Sequence, residues 1–229
     1  MNLKQLLDTL RYGELANMNY FNEEKIPAII TYLNSALIQL YSRFPLSEKQ
    51  LIIEQHPHIA TYHISSKYAR SNKASLEPYK YIIDSEEEPF QDDVIRVTSA
   101  YNKYGEPVPL NDQNDLRSWF LPSYNSVQIF NSQEGDTAFF IYRARHPYID
   151  PEVQDYENVT IDIPACLEEA LCSYIASKAY ITIQNQEGIS LSGLYENRYE
   201  KLCSAVEANN LLQSESSNSN IKLIMRGFV

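Results

Sequence analysis

The stretch from Ile161 to Glu187, IDIPACLEEALCSYIASKAYITIQNQE, constrains the fold more than any other part of the chain. Pro164 suits the first position of a helix, where its missing N–H costs nothing. Leu167, Leu171, Tyr174 and Ile181 then recur at helical spacing, which turns one face of that helix to a core. Gly188 is expected to stop it. Ser190 or Ser192 then caps a second helix with the stripe Leu194, Tyr195, Tyr199, Leu202, Val206 and Leu212. So short a connection sets the two helices side by side and antiparallel. The preceding chain has to pack on this hairpin or be displayed by it.

Upstream, Asn2 to Arg11 reads as a short helix through Leu3, Leu6, Leu7 and Leu10, too short to persist without partners. Ile26 to Phe44 is stronger. Ile26, Ile30, Leu33, Leu37, Leu40 and Phe44 form a narrow seam of the kind used between long packed helices, with Asn22 a candidate cap and Pro45 the stop. From Leu46 to Thr160 the period becomes alternating, broken at turn residues. Strands are expected at 50–54, 61–65, 79–84, 94–101, 116–120, 127–131, 138–145 and 159–163. Gly105 and Gly135 mark hairpin connections that need a positive φ, and 65–75 and 85–88 are expected to be loops. The expected fold class is α+β. A helical bundle, with long helices near both ends of the chain (residues 1–45 and 161–212), carries a β-strand-rich insertion (46–160) and an extended C-terminal tail.

That tail is QSESSNSN, a linker by composition, followed by the apolar piece IKLIMRGFV, so 213–229 is expected to be a flexible linker and docking tail. Ile221, Leu223, Ile224, Met225 and Phe228 are its candidate partner-binding residues. Burying each is worth roughly 1.5 to 3 kcal/mol, and ordering the backbone costs about 1 to 2 kcal/mol per residue. These nearly cancel. The piece is therefore expected to order only against a second surface that offers a groove or a free strand edge.

Acidic residues number 30 against 19 basic ones, a net charge of −11, which excludes an extended grip on nucleic-acid phosphates. It is compatible with a conduit that DNA passes without being held. The 18 tyrosines and only 6 glycines suit aromatic strands and interfaces rather than a phosphate-cradling enzyme. Cys166, Cys172 and Cys203 are an odd number without framework spacing, so reduced buried thiols and an intracellular product are expected. The sequence contains no signal-peptide pattern and no apolar run of membrane-spanning length, so no membrane partner is expected.

The clusters with chemical potential are few. His56, His58 and His63 could place imidazoles on one strand face with Glu54 recruited as a carboxylate ligand, but Pro57 disfavours a central strand there. Cys166 and Cys172 are turned apart on a helix and fit core thiols better than a metal or redox pair. Glu168 and Glu169 with Lys178 are adjacent carboxylates pointing in different directions, a solvated or subunit-facing surface rather than an acid–base pair. Trp119, Phe120 and Tyr124 could form an aromatic binding surface, or simply a half-buried strand. Phosphate loops, a nucleophile elbow and a zinc-protease helix are absent, and the arginines are dispersed.

Four segments spread over nearly the whole chain carry a resemblance: YLNSALIQLYSRFPL from Tyr32, IRVTSAYNKYGEPVPLND from Ile95, IYRARHPYI from Ile141 and IPACLEEALCSYIASKAY from Ile163. Taken in this order, the chain resembles the head-to-tail adaptor (connector) proteins of short-tailed bacteriophages. The resemblance implies a structural virion protein in the neck between head and tail, assembled in the host cytoplasm. It also implies a twelve-fold ring of copies of the chain on the portal protein, a tail tube or nozzle protein below, and DNA passing through the centre. It carries over no catalytic residues, and because the histidine cluster lacks a convincing ligand set, no cofactor and no metal are expected. Two other classes remain: a monomeric binding module that uses the β insertion and its aromatics to hold a glycan or host protein, and a metal-dependent enzyme built on His56 and His58.

Overall fold

The computed structural model describes residues 1–17, 25–130 and 132–212 and is mixed α+β, with four α-helices and antiparallel sheets among the described residues. The chain divides into two compact units. One is built from Met1–Leu46 and the chain from Tyr148 onward, the other from Ser47–Pro147.

The first unit holds α1 (Leu3–Tyr12), α2 (Ile26–Arg43), α3 (Ala165–Ile181) and α4 (Gln186–Ala208). A capping box starts α1: the Asn2 side chain accepts from the Gln5 N–H at 2.8 Å, and the Gln5 side chain accepts from the Asn2 N–H at 2.9 Å. Its four leucines, Leu3, Leu6, Leu7 and Leu10, are all buried. In α2, Ile29, Ile30, Leu33, Ala36, Leu37, Leu40 and Tyr41 are buried, a broader stripe than the narrow seam expected. Its expected cap, Asn22, lies outside the described residues.

α3 packs against α4, α2 and α1. It is consequently buried around most of its circumference, at Leu167, Ala170, Leu171, Cys172, Ser173, Ile175, Ala176, Ser177, Ala179 and Tyr180. The many small residues let the neighbouring backbones come close. The single stripe expected for this helix is corrected: Tyr174 is half-buried and Ile181 is exposed, because a helix contacted on several sides has no one core face. Tyr174 meets Tyr199 and Tyr180 stacks on Tyr195, so α4 runs antiparallel to α3. Arg43 of α2 reaches α4 with two bonds to Glu207, at 2.7 and 3.0 Å, and one to Glu200 at 2.8 Å.

The turn between α3 and α4 also differs from expectation. α3 ends at Ile181, and Asn185 caps α4 by accepting from the Gly188 N–H at 2.6 Å, so Gly188 lies inside the first turn of α4 instead of stopping α3. Its smallness serves close approach. A Cβ at position 188 would stand 2.8 Å from the Tyr180 carbonyl oxygen and 3.0 Å from the Ile183 Cβ. Of the stripe read for α4, Tyr199 and Val206 are buried together with Ser192 and Cys203, whereas Leu194 is exposed.

Residues 148–163 belong with the helices. The β unit ends at Pro147 rather than at residue 160. The Asn34 side chain, buried in α2, donates to the Ile149 carbonyl at 2.8 Å and accepts from the Ile149 N–H at 3.0 Å, the two bonds a neighbouring strand would make. The Tyr41 hydroxyl donates to the Asp162 carbonyl at 2.5 Å. The strand expected at 159–163 is reduced to a single bridge between Thr160 and Asn2, since the partner chain turns helical at Leu3. The alternation of Val159, Ile161 and Ile163 marks burial of the two isoleucines, not a ladder.

The second unit contains β1 (Glu48–Glu54), β2 (Thr61–His63), β3 (Ile82–Ile83), β4 (Val94–Tyr101), β5 (Pro107–Val108), β6 (Phe120–Ser123), β7 (Ser126–Gln128) and β8 (Thr137–Ala144). They form a five-stranded sheet in the order β3-β1-β8-β4-β5 and a three-stranded sheet in the order β2-β7-β6, every pairing antiparallel. Ala138, Phe140, Tyr142 and Ala144 alternate inward from β8 and share one core with Leu51, Ile53, Val97, Tyr62 and Val127. The strand expected at 116–120 begins only at Phe120, with Leu116 fully exposed, and the two-residue β5 was not expected. Gly105 and Gly135 adopt φ of 78° and 77°, as their turns require.

The close approach at Gly188 gives a direct test. Gly188→Ala forces the first turn of α4 away from the end of α3 and is expected to destabilise the protein by about 1 to 3 kcal/mol, despite the better helix propensity of alanine. Thermal unfolding measures this, and an unchanged or raised melting temperature would refute the close approach.

Candidate interaction groove

Part of the outer edge of β1 is open. β1 pairs with β8 along its whole length but with β3 only at Ile52 and Ile53. The Ala144 N–H donates to the Ser47 carbonyl and the Gln55 N–H to the Asp136 carbonyl, so the odd residues of β1 face β8. The Glu54 N–H donates to the Tyr81 carbonyl, so the even residues face the other way. Glu48 and Gln50 therefore turn their main-chain groups to a side where no described strand continues the sheet.

Past β3 the chain leaves β1 and crosses to the start of β4, and Phe90 packs edge-on against Tyr142 at 6.2 Å. Between the β1 edge and this crossing lies an open cleft of about 650 Å³, whose lining includes Gln50, Ile52, Ile83, Glu87, Glu88 and Phe90. Ile83, Ile52 and Phe139 stand in register across three strands, so an apolar row runs up to the edge.

Two carboxylates fix the crossing segment. Asp84 accepts from the Ser71 N–H at 2.9 Å, the Ser71 hydroxyl at 2.5 Å and the Phe90 N–H at 2.9 Å. Burial alone would raise its carboxyl, but these bonds outweigh that and hold it below the ordinary carboxylate value. Asp93 is buried and accepts from Lys49 Nζ at 2.6 Å and the Tyr142 hydroxyl at 2.9 Å, while its carbonyl accepts from the Arg145 N–H at 2.8 Å. It thereby locks the start of β4 to β8 and β1. Burial, and then the Asp93 charge, push the Tyr142 hydroxyl well above its usual value. Glu87 and Glu88 are exposed and form no ion pair among the described residues, which leaves uncompensated negative charge on the cleft wall.

The residues singled out from the sequence fall elsewhere. Ile221, Leu223, Ile224, Met225 and Phe228 lie outside the described residues. His56 meets Glu134 at 3.1 Å and packs beside Tyr79, His58 is exposed, and His63 stacks on Tyr68. Glu54 is held by Arg70. Among the described residues no three His, Cys, Asp or Glu side chains gather as a metal-holding group. Cys172 and Cys203 are buried, and burial followed by nearby carboxylates pushes the Cys172 thiol up to about 12. Cys166, expected as a core thiol, is exposed because it sits on the first turn of α3, before that helix is surrounded. Glu169 pairs with Arg198, and Lys178 lies over the Tyr174 ring, so the three charges on α3 do not meet. Trp119 is buried against Phe140 in the core, which removes it from any surface platform. Tyr124 is exposed.

The open β1 edge was not read from the sequence. Its one signal was the acidic run after Ile83, which ends β3 early. No helix among the described residues is long and apolar enough to cross a membrane. The chain matches no protein-family model, and no curated protein matches it.

Burial raises several tyrosines, with a defined consequence at alkaline pH. In the helical unit, burial and then the charge of Asp162 push Tyr41 up to about 12, and burial raises Tyr142 and Tyr81 in the β unit further. An unfolded tyrosine ionises near 10, about two units earlier than Tyr41 in the fold. The stabilisation is therefore complete below about pH 10 and is lost as the pH climbs through the folded values. Melting temperature is expected to hold up to about pH 9.5 and then fall. Tyr142→Phe, which leaves Asp93 with one donor fewer, should cost about 1.5 to 3 kcal/mol at neutral pH and flatten the alkaline fall. An alkaline profile with no decline up to pH 12 would contradict the burial assigned to these hydroxyls.

Proposed function

We propose that the chain is a structural virion protein, a head-to-tail adaptor whose ring joins the portal to a tail tube or nozzle and extends the DNA channel. The observation that supports this most is the interrupted first unit: helices from both flanks of the chain pack together, and the antiparallel unit Ser47–Pro147 stands between them in sequence. The resemblance implies a helical bundle that carries a β domain, and the sequence adds the expectation of long helices near both ends and an extended C-terminal tail. In this reading the helices supply ring packing among about twelve copies, the β unit faces the tail, and Ile221–Val229 anchors the subunit to the portal or a neighbour. The net charge of −11 suits a channel that lets DNA pass without specific binding. Neither catalysis nor a cofactor or metal enters this role.

One observation favours a second reading, a monomeric module that holds a glycan or host protein through its β unit. Tyr104 and Tyr124 are 76% and 67% exposed. Tyrosines so placed can serve as recognition surfaces.

Electron microscopy of the purified chain mixed with portal rings separates the two. The adaptor reading predicts an added ring on the portal. Portals left bare, with the chain retained on a glycan array, would overturn it in favour of the module. Without a portal, the charge repulsion between copies keeps the chain monomeric or weakly associated, and raising the salt should promote association. Light scattering that shows a stable free ring at low salt would contradict this.

A further inference from the structure

The face of the five-stranded sheet turned away from the core carries a cluster of arginines without partners. On β8 the even residues enter the core, so Arg143 lies on the other face, and the alternation of burial continues through Ala144, Arg145 and His146 to set Arg145 beside it. On β4, Arg96 stands directly opposite Arg143 in register, with Val97 turned into the core. Like charges directly across a ladder are destabilising, and nothing nearby compensates them. Glu48, across from Arg143 on β1, forms no ion pair with it, and none of the three arginines has a carboxylate partner among the described residues. The Arg143 Nε is shut off from solvent with no acceptor. Buried donors are almost always satisfied, so this one calls for an acceptor from outside the chain. A guanidinium fork matches the two oxygens of a carboxylate.

Glu86, Glu87 and Glu88 are the chain's only three consecutive carboxylates. They belong to the segment that crosses the core side of the same sheet, where Phe90 packs edge-on against Tyr142. Glu86 pairs with Lys73, whereas Glu87 and Glu88 are exposed and free of ion pairs among the described residues. Within one chain the sheet stands between these carboxylates and the arginines. We propose that Glu87 and Glu88 of one copy seat on Arg96, Arg143 and Arg145 of the next. The two patches are different surfaces on opposite sides of one unit, so the contact runs head to tail and closes into a ring where the rotation permits. This deepens the ring of the adaptor reading, and rests on it, by naming a contact between copies. Copies that repel at long range through their net charge still hold together at short range where a cationic patch meets a carboxylate pair.

Paired charge reversals in the full chain read this out by sedimentation velocity. A lysine variant carries Glu87→Lys with Glu88→Lys, and a glutamate variant carries Arg96→Glu, Arg143→Glu and Arg145→Glu. Each presents like charges on both sides of the contact, so neither associates with itself. Mixed, the two should associate roughly tenfold more tightly than either alone, because each patch then meets its opposite. Both variants remain net negative, so overall charge does not draw them together. Should the triple reversal fail to fold, Arg96→Glu with Arg145→Glu, both at exposed positions, makes the same test. A mixture that associates no better than the separate variants overturns the contact, and so does equal rescue by Glu152→Lys with Glu196→Lys in place of the lysine variant. On portal rings, bare portals with either variant and an added ring with the mixture support both the contact and the adaptor reading. A complete ring from either variant alone overturns the contact and leaves the adaptor reading standing. Tight association of the mixture in solution, with no ring on portals from any form of the chain, keeps the contact and removes the adaptor role.

Discussion

The structure depends on the burial of α3 on several sides. A helix in that position cannot be amphipathic, and α3 is not: leucines, alanines, buried serines and a buried cysteine share its circumference. Three other helices supply the surface it needs, two of them from the beginning of the chain. The small residues bring these neighbours close, and the same demand continues into the turn, where the backbone at Gly188 passes the end of α3 with no room for a side chain. Tyr180 and Tyr195 extend the contact, stacked on each other and donating to the Glu14 carbonyl at 2.9 and 3.5 Å.

That dependence explains how the chain tolerates an insertion of the length of Ser47–Pro147. The first and last strands of the β unit, β1 and β8, are partners along their whole length, and the Ala144 N–H donates to the Ser47 carbonyl. The two ends of the β unit therefore lie side by side. Asn34 and Tyr41 then receive the returning chain, through Ile149 and Asp162, before α3 begins. The anchoring is polar because the segment carries main-chain groups with no ladder of their own.

Much of this was legible in the sequence wherever one periodicity dominated. The stripe of α2 and the alternation of β8 identify their elements to within a residue or two, since each has one face to bury. Legibility fails where tertiary contacts decide. Gly188 reads as a helix stop locally but is a contact point in the fold, and Ile161 and Ile163 alternate like a strand while packing on helices. Trp119 reads equally as platform or core until Phe140 is placed beside it. The open edge of β1 is invisible for a similar reason, because edge status depends on how far a distant two-residue strand pairs, not on β1 itself.

The functional reading joins these features: a helical unit made of both chain flanks, a β unit that stands between them in sequence, and a strongly negative net charge. Its physical centre is the claim that α3 holds both flanks in one cooperative unit. Native-state hydrogen exchange under increasing denaturant tests this most directly. The account predicts that the amides of α1 and α2 lose protection together with those of α3 and α4, in a single transition. Opening of α1 and α2 at markedly lower denaturant, with α3 and α4 still protected as a pair, would contradict it.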